Sequence, residues 1–118
     1  MAKPAVTIYH NPKCGTSRSV LEALRAKGIE PAIVLYLENP PSKTKLAQLL
    51  KKMRAKPRDL LRRRGTPYDE LGLDDPKLSD DAILNAIATH PLLIERPIVE
   101  TTDAALLCRP ADRLSELL

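Results

Sequence analysis

The 118-residue sequence contains no tryptophan and no phenylalanine, and aromatic residues make up only 3% of it. A core must therefore be built from Leu, Ile, Val and Ala, and bases would find little to stack on, so no nucleic-acid partner is expected. Cysteine is also scarce. The two present, Cys14 and Cys108, lie far apart in unlike surroundings, which excludes a disulfide framework. No metal-ligand spacing appears, and no metal is expected. No apolar run approaches the length of a membrane span, and the N-terminal stretch has neither a long apolar segment nor a cleavage-like pattern. The expectation is a soluble protein of the reducing cytoplasm with no membrane partner. Net charge is no guide: 19 basic against 15 acidic residues leave a formal +4, compatible with a solvated surface or with a local anion site.

What is present suits one domain over residues 1–118, since 43% hydrophobic residues can bury a real core. The chain is organised around Tyr9-His10-Asn11-Pro12-Lys13-Cys14-Gly15-Thr16-Ser17-Arg18. An apolar run over 5–9 precedes this stretch, and Val20, Leu21 and Leu24 follow it at helical spacing. A strand therefore passes through a tight loop into a helix. Cys14 falls where that helix starts, facing unpaired N–H groups and the positive end of the dipole, both of which favour thiolate. Gly15 allows close approach, Thr16 and Ser17 supply hydroxyls, and His10 and Arg18 supply positive charge. Together they describe an anion cradle around a nucleophilic sulfur.

Further along, the first helix is expected to run to about Lys27, with Gly28 as its stop. Residues 31–37 read as a strand buried on both faces and parallel to the first, giving the start of an α/β domain. Ser42 caps a helix carrying Leu46, Leu49, Leu50 and Met53. Residues 57–65 read as a short helical turn ending in Arg62, Arg63 and Arg64, at least one of which can point inward. Ser79 caps a helix with Ile83, Leu84 and Ile87 inward, ended by His90-Pro91. Arg96-Pro97 interrupts the approach to a strand at Ile98-Val99, signalling an edge, a bulge or a cis bond. Residues 105–108 form the last strand, and Pro110 opens a final helix.

Arg62, Arg96 and Arg109 each stand at an element boundary. Guanidinium groups bind tetrahedral oxyanions through paired hydrogen bonds, so convergence of the three near Cys14 would bring a dianion to a thiolate that otherwise repels it. Spacing alone leaves that convergence open.

With these residues in view, the chain resembles the glutaredoxin-coupled arsenate reductases, in the branch of the thioredoxin superfamily that also holds the Spx-type regulators. The resemblance is carried by residues 9–18, Leu35-Tyr36-Leu37-Glu38-Asn39-Pro40-Pro41, Tyr68 with Leu71-Gly72-Leu73, Glu95-Arg96-Pro97-Ile98-Val99 and Leu107-Cys108-Arg109-Pro110. It implies a thioredoxin/glutaredoxin-like α/β fold with a mixed sheet. A helical insertion at about 42–90 separates the N-terminal β-α-β unit from a C-terminal β-hairpin. It further implies that Cys14 attacks arsenate, that His10 helps keep the thiol ionised, and that Arg62, Arg96 and Arg109 hold the oxyanion. Pro97 would be the cis-proline beside the thiol. No cofactor would be bound; glutathione would be the co-substrate and glutaredoxin the protein partner. Ser17 stands where a Cys-x-x-Cys motif places its resolving thiol, so an external thiol must finish the cycle. Cys108, in an apolar strand, is expected to be structural and buried.

Two features depart from the family pattern. Residues 101–105 lack the glycine common at that turn, and the sequence ends at Leu118, so no longer tail is expected to aid partner docking. Two other readings compete: an Spx-type redox-regulatory binding module, disfavoured by the missing second cysteine, and a glutathione-dependent thiol oxidoreductase with little arsenate activity.

Overall fold

The computed structural model describes residues 5–118. Two units divide the chain, one formed by the residues up to Asn39 together with Arg96–Leu118, the other by Pro40–Glu95.

In the first unit, strand β1 (Thr7–His10) leads into helix α1 (Gly15–Ala26) and then strand β2 (Ala32–Leu35). Strands β3 (Ile98–Glu100) and β4 (Ala105–Leu107) complete a sheet of order β2-β1-β3-β4. β2 runs parallel to β1, while β3 is antiparallel to both β1 and β4. The parallel pair exists because α1 crosses between its strands. Val20, Leu21 and Leu24, on one face of α1, share a core with Val6, Ile8, Val99, Cys108 and Leu114. Burial of each such Val or Leu stabilises the fold by about 1.5–3 kcal/mol. Gly28, at φ +78°, ends α1 as anticipated: its N–H reaches Arg25 O at 2.9 Å and that of Ile29 reaches Leu24 O at 3.0 Å. Ile29 then packs against the core, the apolar contact that accompanies this left-handed stop.

Strand β2 differs from expectation. It is an edge strand, not one buried on both faces: Ala32 and Ile33 are exposed, Ile33 by 40%. A run of apolar side chains records β propensity, but the sheet order decides how many neighbours a strand has. At the other edge, the turn without glycine is closed by Thr101. Its N–H donates to Ala104 O at 2.8 Å, and its Oγ1 accepts the Ala104 N–H at 3.2 Å.

The second unit holds helices α2 (Lys43–Met53) and α3 (Asp80–Thr89). Ser42 and Ser79 cap them as expected, their hydroxyls accepting the N–H groups of Lys45 at 3.0 Å and Ala82 at 3.1 Å. Leu46, Leu49, Leu50, Ile83 and Ile87 are buried. The short turn spans only Pro57–Leu60, so the three arginines lie beyond it rather than in it. Leu61 has already left the helical conformation to bridge Ile94. Among the described residues no helix is long and apolar enough to cross a membrane.

Candidate active site

The site begins with the way β1 hands over to α1. Asn11 O accepts the Cys14 N–H at 3.0 Å, closing a turn, and Asn11 Oδ1 accepts the Lys13 N–H at 3.0 Å. Cys14 is thereby placed at the N-cap of α1, in extended conformation and half-buried. A helix start offers N–H donors and positive potential, and a cysteine there lowers its pKa when donors reach the sulfur. Burial pushes the Cys14 thiol upward, but the Ser17 N–H and the guanidinium groups of Arg96 and Arg109 outweigh it, and the thiol is held below its ordinary range. Arg109 Nη1 lies 3.8 Å from the sulfur and 3.5 Å from Arg96 O, so one guanidinium ties the thiol to the segment entering β3. The two peptide bonds that follow these arginines, Arg96–Pro97 and Arg109–Pro110, are both cis. The first is the cis bond that the family resemblance implies at Pro97, and it was among the alternatives for an Arg-Pro at a strand entry; nothing in the sequence signalled the second.

Arg96 also carries an unsatisfied group. Its Nε is buried without a hydrogen-bond partner. A buried donor left unpaired costs about 1–3 kcal/mol, and an anion next to Cys14 would relieve it. Above Gly15, an added Cβ would meet only the tip of Arg18, at 3.8 Å. Arg18 itself folds back, Nη1 donating to Pro12 O at 2.9 Å and bracing the loop.

Ser17 is fully buried and joins three pieces. Its Oγ accepts the Asn11 N–H at 3.1 Å and stands 2.6 Å from His10 Nδ1, while its backbone N–H serves the Cys14 sulfur. His10 is buried, and its pKa is lowered first by that burial and then by Arg25 and Arg18. It is therefore neutral at pH 7, and the positive charge around Cys14 comes from the arginines. The placing of Ser17 at the centre of this network was hidden in the sequence, where its position three residues after Cys14 was the only signal.

The remaining residues are placed as follows. Gly15 and Thr16 open α1. Cys108 is fully buried, and burial raises its pKa to about 11, which makes it a poor nucleophile. Arg62 belongs to the second unit and is the inward member of its triplet: its side chain is 20% exposed, whereas Arg63 is 63% exposed. Arg62 Nη1 pairs with Glu95 Oε1 at 3.1 Å and its Nε donates to Arg64 O at 3.1 Å. Arg63 instead pairs with Asp69 at 2.6 Å and lies over the Tyr68 ring. Thus Cys14, His10, Ser17, Arg96 and Arg109 are joined within one unit, and Arg62 is held in the other. Among the described residues no cluster of His, Cys, Asp or Glu could hold a metal ion.

A four-stranded mixed sheet with a cysteine at the start of its first helix defines a thioredoxin-like fold. A model of the ArsC family matches residues 9–117. An arsenate reductase of Escherichia coli is 49% identical over 113 residues, spanning 96% of this chain and 80% of that protein. One from Neisseria meningitidis is 41% identical over 116 residues, spanning 98% and 99%. Among solved structures, the arsenate reductase from Vibrio cholerae matches with a TM-score of 0.94 at 42% identity, covering 99% of this chain and all of that one (100%). The chain belongs to the ArsC family.

Proposed function

We propose that this protein is an arsenate reductase that uses glutathione and glutaredoxin, with Cys14 as nucleophile. The observation that carries the reading is a depressed thiol bracketed by Arg96 and Arg109, with a buried Arg96 donor left for a ligand. The Cys14 thiolate attacks the arsenic of arsenate; a sulfur–arsenic bond forms, and one arsenate oxygen leaves as water after protonation. The guanidinium groups neutralise the approaching dianion and the charge that builds on its oxygens. Glutathione then attacks the Cys14 sulfur. A sulfur–sulfur bond forms, the sulfur–arsenic pair stays on arsenic, and arsenite departs with the glutathione proton. A glutaredoxin thiol takes the glutathionyl group and returns Cys14.

External thiols are invoked because the chain has only one other cysteine, and Cys108 is buried with a raised pKa. Such a cycle suits the cytoplasm, where glutathione is reduced. His10 acts in this reading as a positioning residue through Ser17. Arg62 enters it on the family resemblance alone.

The test is arsenate-dependent NADPH oxidation with glutathione, glutathione reductase and glutaredoxin, run beside Cys14→Ser. Turnover requiring arsenate, glutaredoxin and Cys14 is expected. Residual turnover in Cys14→Ser overturns the nucleophile, and a folded wild-type protein that reacts with glutathione but ignores arsenate overturns the substrate. For Arg62, an unchanged KM for arsenate in Arg62→Ala removes it from the oxyanion's partners.

A further inference from the structure

Beside the cysteine loop lies a cavity of about 210 Å³, between residues 10–13 on one side and Leu35, Leu37 and Glu38 at the end of β2 on the other. The anion chemistry described above makes no use of it. Its lining holds one cation, Lys13, and one anion, Glu38, both exposed, with Pro12, Leu35 and Leu37 supplying apolar surface. Lys13 is the residue before Cys14, and the same loop is pinned by the bond from the Cys14 N–H to Asn11 O.

We propose that this cavity is the subsite for the γ-glutamyl head of glutathione, which it holds while the glutathione sulfur addresses Cys14. The proposal rests on the reading of the protein as a reductase that needs an external thiol. The pairing of charges selects the occupant. An inorganic dianion would meet Lys13 with Glu38 opposing it, so the cavity is a poor second oxyanion site. A zwitterionic amino-acid head offers a carboxylate to Lys13 and an ammonium to Glu38, and its two methylenes suit the leucines and Pro12. The glycyl end of glutathione has a carboxylate but no ammonium and would leave Glu38 without a partner. His10, also in the lining, is kept neutral by burial and adds no charge that would upset this balance. The volume falls below the roughly 300–1,000 Å³ of sites that enclose whole drug-sized ligands, which fits one arm of a tripeptide rather than all of it.

Thiol–disulfide exchange tests the subsite without arsenate. The Cys14 thiolate attacks oxidised glutathione, whose sulfur–sulfur bond breaks; a Cys14–glutathione disulfide forms and one glutathione thiolate leaves. Its rate is read by mass spectrometry for oxidised glutathione, for the disulfide of N-acetylcysteinylglycine, which keeps an amide on the cysteine nitrogen but lacks the zwitterionic γ-glutamyl head, and for neutral 2-hydroxyethyl disulfide. Oxidised glutathione should react faster than the N-acetylcysteinylglycine disulfide. Lys13→Gln and Glu38→Gln should each slow the glutathione reaction by about two- to five-fold, the range for exposed ion pairs, and leave the 2-hydroxyethyl disulfide rate unchanged. Equal rates with and without the γ-glutamyl head overturn the proposal. So does slowing by the variants that is the same for the neutral disulfide, because that would reflect the reactivity of Cys14 itself. If head-group selectivity holds while wild-type protein fails to turn over arsenate, the subsite stands and the arsenate reading falls.

Discussion

His10 Nδ1 and Ser17 Oγ stand 2.6 Å apart in the interior, a side-chain link between the end of β1 and the first turn of α1. Because the same oxygen accepts the Asn11 N–H, Ser17→Ala strips a partner from the buried His10 ring and from the half-buried Asn11 N–H while keeping the N–H that serves Cys14. A loss of about 1–3 kcal/mol is expected from urea unfolding. Turnover by Ser17→Ala should fall further than stability explains, through a misplaced N–H at the sulfur. Wild-type stability in that variant would mean the link contributes nothing.

The lowered pKa of His10 sets a pH dependence. In the unfolded chain the imidazole titrates near 6.5, and in the folded protein it resists protonation until lower pH. Its contribution to stability is therefore complete above about pH 6.5 and is lost as pH falls through the folded pKa. Urea midpoints should drop between pH 7.5 and 5, and His10→Gln should flatten that slope.

Arg96 and Arg109 both act on Cys14, Arg96 through a hydrogen bond and its charge. The pH profile of iodoacetamide alkylation should move upward in Arg96→Ala and, by less, in Arg109→Ala. Profiles that coincide with wild type would remove the guanidinium groups from the sulfur.

Cys108 should behave as a core residue. In native protein near pH 8, iodoacetamide should label Cys14 and spare Cys108, and both should react in denaturant, which peptide mass mapping reads directly. Cys108→Ala should cost on the order of 1 kcal/mol in stability and leave turnover intact. Lost turnover at unchanged stability would make it a resolving thiol.

Tyr9 donates its hydroxyl to Glu100 Oε1 at 2.8 Å in the buried sheet, and burial, then Glu100, raises its pKa. Tyr9→Phe should cost about 1.5–3 kcal/mol, the range for hydrogen bonds to charged groups. The raised pKa means the tyrosine's contribution holds below about pH 10, its unfolded value, and fades above it. Wild type should lose stability above pH 10 more steeply than Tyr9→Phe does.

Local chemistry was legible from residues alone. Ser42 and Ser79 accept the N–H groups expected of caps, Gly28 takes the left-handed stop of α1, and Cys14 sits at the helix start that its flanking patterns required. Each depends on neighbours within a few positions, where backbone geometry leaves few choices. The exposure of Ala32 and Ile33 at the start of β2 was not legible, because hydropathy records that a segment suits a sheet and not whether a second strand will lie beside it. Nor was the placing of Arg62, Arg63 and Arg64 beyond the short turn, since the pairing of Leu61 with Ile94 joins residues 33 positions apart and overrides the local helical tendency.

The candidate site divides along the same line. Residue order placed Cys14 at a positive helix end beside hydroxyls, so a reactive thiol followed from the chain itself. That Arg96 and Arg109 both reach that sulfur and that Cys108 is sealed in the core were decided by sheet pairing, whereas the link from Ser17 to His10 was decided by how the turn after β1 sets the first turn of α1. Pairing brings Arg109 to a thiol 95 residues away, and such contacts depend on register and strand order, which a linear pattern does not encode.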